Sequence, residues 1–305
     1  MLAVVLMTAS GCRKEQLPHG REIRIRLDSG LFPLRSVSPP DEALISDLNL
    51  FVFREDAEME ERLWISAREF REGGVYTLTL PKGLKYGLYA CANFGYELRN
   101  IRNRKDLESY RYYLAYPDEY SKGIPMTGIA EIDGETDDVT ILLERMMAKI
   151  SLCIDRRALD QDVRFNVRSV VIGNTPRSAS AFGTSRAQGK IDTFPRGFNR
   201  TGPLADGLNR QHGDTSEEVS VYMLENLQGE DPDVPSYIEI EAEYDSALQY
   251  TLPGRYLIYR FHLGSGPGNH DVQRNFHYRF TVRPEGNGLL TEDSWKVDKT
   301  ALWNY

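Results

Sequence analysis

Apolar and polar side chains alternate with a period of two in several separate stretches, and this limits the folds open to the chain. In Glu22 to Asp28, Ile23, Ile25 and Leu27 alternate with charged neighbours. Ile238, Ile240, Ala242 and Tyr244 alternate with Glu239, Glu241 and Glu243, and Val163, Phe165 and Val167 alternate with Arg164, Asn166 and Arg168. Phe276, Tyr278, Phe280 and Val282 do the same with His277, Arg279, Thr281 and Arg283. Successive side chains of a strand point to opposite faces, so each stretch predicts a strand with one face on a core and one in water. A helix would need apolar residues three and four apart. The fold class expected is therefore mostly β.

Further strands follow from composition and punctuation. Ile45 to Phe53 (ISDLNLFVF) is apolar on both faces, the pattern of a strand covered on either side. Leu63 to Ser66, Val75 to Leu80, Lys85 to Ala92 and Val139 to Leu143 are separated by Gly73-Gly74, Pro81-Lys82-Gly83 and an acidic turn, Asp133 to Asp138. Ser29 to Glu42, with Pro33, Pro39 and Pro40, predicts a loop. One short helix is expected over Arg104 to Leu114, where Leu107, Tyr110 and Leu114 fall at helical spacing. Thr175 to Gly213, rich in Gly, Ser and Arg, predicts a long surface loop. A new run begins at Met146 (MMAKISLCI), so the 305 residues divide into two consecutive β-sandwiches, 22–144 and 145–305.

The amino-terminal residues carry an address. Leu2 to Met7 are apolar, and Thr8-Ala9-Ser10-Gly11-Cys12 follows. This order resembles a bacterial lipoprotein signal: residues 1–11 would be removed and the Cys12 thiol would be lipidated. The alternative is a plain secretory signal with an incidental cysteine. Lipidation would tether the body to a membrane, each buried methylene contributing about 0.8 kcal/mol. Residues 12–21 would then serve as a flexible polar tether.

No catalytic constellation emerges. The chain has no GxSxG elbow, HExxH helix, Walker loop or dinucleotide fingerprint. A net charge of −8 without a basic block disfavours nucleic acid as a partner. His262, His270 and His277 with Asp271 could hold a metal, but isolated surface histidines are the simpler reading. The acidic turn lacks the closing Glu of a calcium loop. Glu239, Glu241 and Glu243 point the same way along one strand, whereas glycoside hydrolysis needs carboxylates facing each other across a substrate. Cys91 and Cys153, in different predicted sandwiches, are expected to be buried free thiols. Tyr110, Tyr112, Tyr113, Tyr116 and Tyr120 offer an aromatic surface for a partner or a glycan, or else core packing. No enzyme and no cofactor is expected.

Six phrases, in order, resemble the fimbrillin family of Bacteroidales: ISDLNLFVF (Ile45 to Phe53), YGLYACANFG (Tyr86 to Gly95), IPMTG (Ile124 to Gly128), LERMMAKISL (Leu143 to Leu152), VYMLENLQG (Val221 to Gly229) and RNFHYRFTV (Arg274 to Val282) followed by Trp295. The resemblance implies two transthyretin-like antiparallel β-sandwich domains in a type V pilus subunit, a lipoprotein at the outer membrane surface. It implies partners among other fimbrial subunits, joined by β-strand exchange, with the subunit serving as stalk, anchor or tip. Mapped onto this chain, Glu22 to Asp28 with Ile23, Ile25 and Leu27 matches the exchanged first strand, and Arg35 is the matching site of proteolytic processing. A surface glycan-binding lipoprotein is the alternative function.

Overall fold

The computed structural model describes residues 20–29, 42–71, 73–120, 123–133, 135–199, 203–246, 256–266, 268–286 and 295–302. Cys12, Arg35 and Trp303 lie outside the described residues, as does the whole of the signal segment.

The chain is mostly β. Its first half carries β1 (Gly20–Asp28), β2 (Leu48–Arg54), β3 (Met59–Ile65), β4 (Tyr76–Pro81) and β5 (Tyr86–Ala92). Helix α1 (Arg104–Glu108) and the strands β6 (Arg111–Tyr113), β7 (Met126–Ile132), β8 (Asp138–Leu142) and β9 (Glu144–Arg145) complete it. The second half opens with β10 (Met147–Ile154) and β11 (Val163–Gly173), then the short β12 (Thr175–Pro176), β13 (Ser178–Ser180), β14 (Thr193–Phe194) and β15 (Phe198–Asn199). Helix α2 (Pro203–Asn209) leads into β16 (Gln211–His212), β17 (Thr215–Ser216) and β18 (Val219–Leu224). The long strands β19 (Tyr237–Ser246), β20 (Tyr256–His262), β21 (Phe276–Val282) and β22 (Trp295–Ala301) close the described chain.

Two sheets make up the first half, in the orders β4-β1-β8 and β3-β2-β5-β7-β9. Between them lies a core of Ile23, Ile25, Leu78, Leu80 and Ile141 from one sheet and Leu48, Leu50, Val52, Leu88 and Ala90 from the other. The other face of β2 and β5 is buried as well: Phe51, Phe53, Tyr89 and Cys91 join a second cluster with Phe94, Tyr112, Ala179, Ala181 and Tyr222. That double burial is why ISDLNLFVF has no polar face. Its two buried polar residues are satisfied: Asp47 accepts from Phe94 N and Gly95 N, and Asn49 accepts from Leu98 N and donates to Tyr96 O.

The second half pairs the sheets β18-β10-β21-β22 and β15-β11-β19-β20 over a third core containing Ile150, Leu152, Phe165, Val167, Ile240, Tyr278 and Phe280. Pairing is antiparallel throughout the long strands except twice. β1 runs parallel to β8, and β10 runs parallel to β21. The opening strand of each half thus sits in the same slot, with one antiparallel neighbour (β4 or β18) and one parallel neighbour.

Two expectations are corrected. The helix over Arg104 to Leu114 is a single turn ending at Glu108, because Arg111–Tyr113 pairs instead with Ser178–Ser180. The stretch Thr175 to Gly213 is not a surface loop: it contributes α2 and several short strands, and Ala179, Ala181, Ala187, Phe198 and Leu208 are buried. Apolar residues scattered singly among Gly, Ser and Arg carry that packing, and composition hides them.

Candidate functional site

β1 is the strand on which function was expected to turn. Ile23 and Ile25 are 3% and 0% exposed, and Leu27 packs against the same core while partly exposed. Burying each of the two isoleucines stabilises by about 1.5–3 kcal/mol. The strand is central: it pairs with β4 over Gly20 to Ile25 and with β8 over Arg24 to Asp28. Its outward side is held by charge. Arg21 lies 2.5 Å from Asp137, and Arg24 and Arg26 lie 2.6 and 3.3 Å from Asp138. The acidic turn between β7 and β8 therefore neutralises the arginines of β1, with its own Asp133 accepting from Glu135 N and Thr136 Oγ1. Exposed pairs of this kind are each worth about 0–1 kcal/mol, so the isoleucines dominate.

Where the chain leaves β1 and where it returns, it meets a buried cation. Arg145, in β9, is 0% exposed. Its Nη2 donates to Ser29 O at 3.2 Å and to Glu42 O at 2.7 Å, and its Nε donates to Glu42 O at 3.1 Å. Its Nη1 donates to Asn275 Oδ1 at 3.3 Å. Burial pulls the guanidinium below its ordinary range, and the nearby Glu42 charge opposes the shift. The Glu42 carboxylate in turn accepts from Lys149 Nζ at 2.7 Å and from Tyr222 Oη. Burial pushes Glu42 upward, but these two bonds and the Lys149 and Arg145 charges together hold it below its ordinary value. Arg145 and Lys149 of LERMMAKISL thus grip the main chain and side chain of one residue.

The other phrases are likewise built on buried polar contacts. Asn93, at φ 63°, donates to Leu44 O and Ile124 O and accepts from Ser46 N, a left-handed position that asparagine tolerates. Thr127 donates to Ala181 O, and a Cβ on Gly128 would lie 2.3 Å from Leu142 O. Arg274 lies 3.0 Å from Glu225, which is 3% exposed, and also donates to Ser180 O and Gly183 O. Asn226 accepts from Ala187 N and donates to Val234 O. The sequence marks these phrases but not the meeting of Arg145, Glu42 and Asn275. The only available sign was a charged residue inside an otherwise apolar run.

The other candidates separate. Among the described residues no group of His, Cys, Asp and Glu could hold a metal ion. His262 and His270 meet edge to face, with ring centroids 5.2 Å apart and planes 70° apart. His277 is not on an open solvent face as expected. It is half-buried with Nε2 2.7 Å from Ser151 Oγ, and burial, Lys149 and Arg279 lower its pKa. Cys91 and Cys153 are free, but only Cys91 is buried, and burial raises its thiol pKa. Glu239 and Glu243 pair with Arg260 and Arg168, and Glu241 accepts from Ser169 Oγ. Of the five tyrosines, Tyr112 is buried and Tyr113 and Tyr116 are exposed. They form no single platform.

The opposite end of the chain is held differently. Among the described residues β22 is an edge strand paired with β21 alone. Trp295 packs against Phe261 and Phe280, and with Val297 it covers the core while remaining partly exposed.

No family model matches the sequence, and no curated protein does. Solved structures do match over nearly the whole chain. A candidate cell-adhesion protein from Bacteroides eggerthii superposes with a TM-score of 0.64 at 18% identity, covering 94% of this chain and 97% of that one. A fimbrilin from Porphyromonas gingivalis W83 gives 0.62 at 14% identity, with 95% and 100% covered. The tip fimbrial protein Mfa3 of Porphyromonas gingivalis, with a C-terminal truncation, gives 0.56 at 15% identity, with 92% and 98% covered. The fold is the one these fimbrial and cell-adhesion proteins share.

Proposed function

We propose that the chain is a surface lipoprotein and a structural subunit of a fimbria, made of two sandwich domains (22–144 and 145–305) and anchored through Cys12. In this reading it joins neighbouring subunits by strand exchange. The position of β1 carries the reading: a central strand, held by Ile23 and Ile25, whose loss would open a strand-wide slot between β4 and β8. Such a slot exposes unpaired backbone groups and an apolar floor, which an incoming strand with the same alternation would fill. The fold shared with fimbrial proteins supports the same reading. Arg35, between β1 and β2 in sequence, is the proposed cleavage point, and β22, an edge strand with one partner, is the proposed donor. A structural rather than enzymatic role fits the matched proteins, which are named as fimbrial or adhesion proteins.

Limited digestion of the full chain with an arginine-specific protease tests the proposal. The expected result is a nick between Gly30 and Glu42, followed at high concentration by multimers that survive mild denaturant. A nicked chain that neither multimerises alone nor binds a peptide of residues 295–305 would sink strand exchange.

A further inference from the structure

The first and last strands of the described chain end at the same two residues, the buried Arg145 and the partly buried Asn275. Ser29, one residue beyond β1, gives its carbonyl to Arg145 Nη2 at 3.2 Å. Arg145 Nη1 donates to Asn275 Oδ1 at 3.3 Å. The backbone of Asn275 then accepts from Leu302 N at 2.9 Å, one residue beyond β22, and donates to Met147 O at 3.0 Å. Asn275 is held at φ 59°, the left-handed conformation, so its amide and its carbonyl are both fixed in place.

We infer that Arg145 and Asn275 couple β1 to β22, so that loosening the first strand loosens the last. The physical reason is the burial of the cation. In the uncut chain the guanidinium is 0% exposed, so an acceptor lost when β1 loosens in place is not simply replaced by bulk water. When β1 moves off, Ser29 O leaves, and the guanidinium must re-seat on the acceptors that remain, Glu42 O and the Asn275 amide. Turning that amide strains the same residue that anchors the end of β22. β22 is poorly placed to resist, since among the described residues it has one neighbour and only partly buried apolar side chains. The purpose of the link rests on the strand-exchange reading: a subunit that has given up its first strand would release its last. The link itself is a property of the uncut chain.

Hydrogen exchange on the full, uncut chain tests it. Ile25→Ala removes a buried side chain from β1, and amide exchange across Trp295 to Ala301 is expected to quicken about fivefold or more, the low end of ordinary coupling between sites. The central strand β11 reports global opening and keeps its rate. Asn275→Gly tolerates the left-handed backbone and keeps the bonds to Met147 and Leu302 while deleting the amide. In that background Ile25→Ala leaves β22 unchanged. Asn275→Asp keeps an acceptor for Arg145 and restores the response. If Ile25→Ala fails to fold, Ile23→Val is read in the same way. The inference is overturned if β22 does not respond in the native background, responds equally with Asn275→Gly, or quickens only together with β11. A chain that shows the coupling yet never multimerises after nicking would sink the fimbrial reading and leave this one standing.

Discussion

The Lys149 ammonium lies 2.7 Å from the Glu42 carboxylate, and their side chains are 18% and 12% exposed. The pair bridges the return from β1 to the first strand of the second half. Burial works against the charged Glu42, and the bonds from Lys149 and Tyr222, with the charges of Lys149 and Arg145, outweigh it. A carboxylate whose folded pKa lies below its unfolded value stabilises the fold above the unfolded value, about 4.3, and that contribution is lost as pH falls through the folded pKa. His277, lowered chiefly by burial, acts in the same direction from about pH 6.5 downward. Stability measured by urea unfolding should therefore fall on acidification below pH 6.5 and again below about 4.3. Lys149→Met should flatten the lower step. An unchanged profile would remove Glu42 as its source.

Arg274 and Glu225 form a second shielded pair, 12% and 3% exposed. Removing one partner leaves the other charge buried without compensation, which costs about 3–5 kcal/mol. Glu225→Ala should lower the free energy of unfolding by about that amount. A loss below about 1 kcal/mol would mean that Arg274 is satisfied by the carbonyls of Ser180 and Gly183 alone.

Gly128 lies where β7 crosses close beneath the end of β8. A Cβ there would meet Leu142 O at 2.3 Å and Ile141 Cγ2 at 2.9 Å. Backbone cannot swing aside as a side chain can, so Gly128→Ala should destabilise by about 1–3 kcal/mol. Thermal unfolding of the variant measures it, and an unshifted melting temperature would contradict the close approach.

Lipidation at Cys12 makes a prediction that needs no folded-state argument. Expressed in its host, the chain should partition into detergent and incorporate labelled palmitate, and Cys12→Ser should abolish both. A serine variant that still does both would defeat lipidation at Cys12.

Strand identity was legible in the sequence wherever one face meets a core and the other meets water. Ile23, Ile25 and Leu27 announce β1, and Tyr278, Phe280 and Val282 announce β21, because alternation has no other simple physical source. The short helix misled because Leu107, Tyr110 and Leu114 fit a helical face, yet the chain after Ser109 takes its hydrogen bonds from a distant strand. The contacts of Arg145 could not be read from the sequence, which shows only a charged side chain inside an otherwise apolar run. Its acceptors Ser29, Glu42 and Asn275 lie 116, 103 and 130 residues away, and only folding brings them together.

The position of β1 between two neighbours also sets how it would answer force. Tension drawn along a strand laddered on both sides, to β4 and to β8, loads both rows of bonds in shear, so many must fail together. Tension lifting β22 from one end meets a single ladder and peels it bond after bond. A joint formed in the β1 slot would therefore carry drag from flowing liquid that a joint made like β22 would not survive.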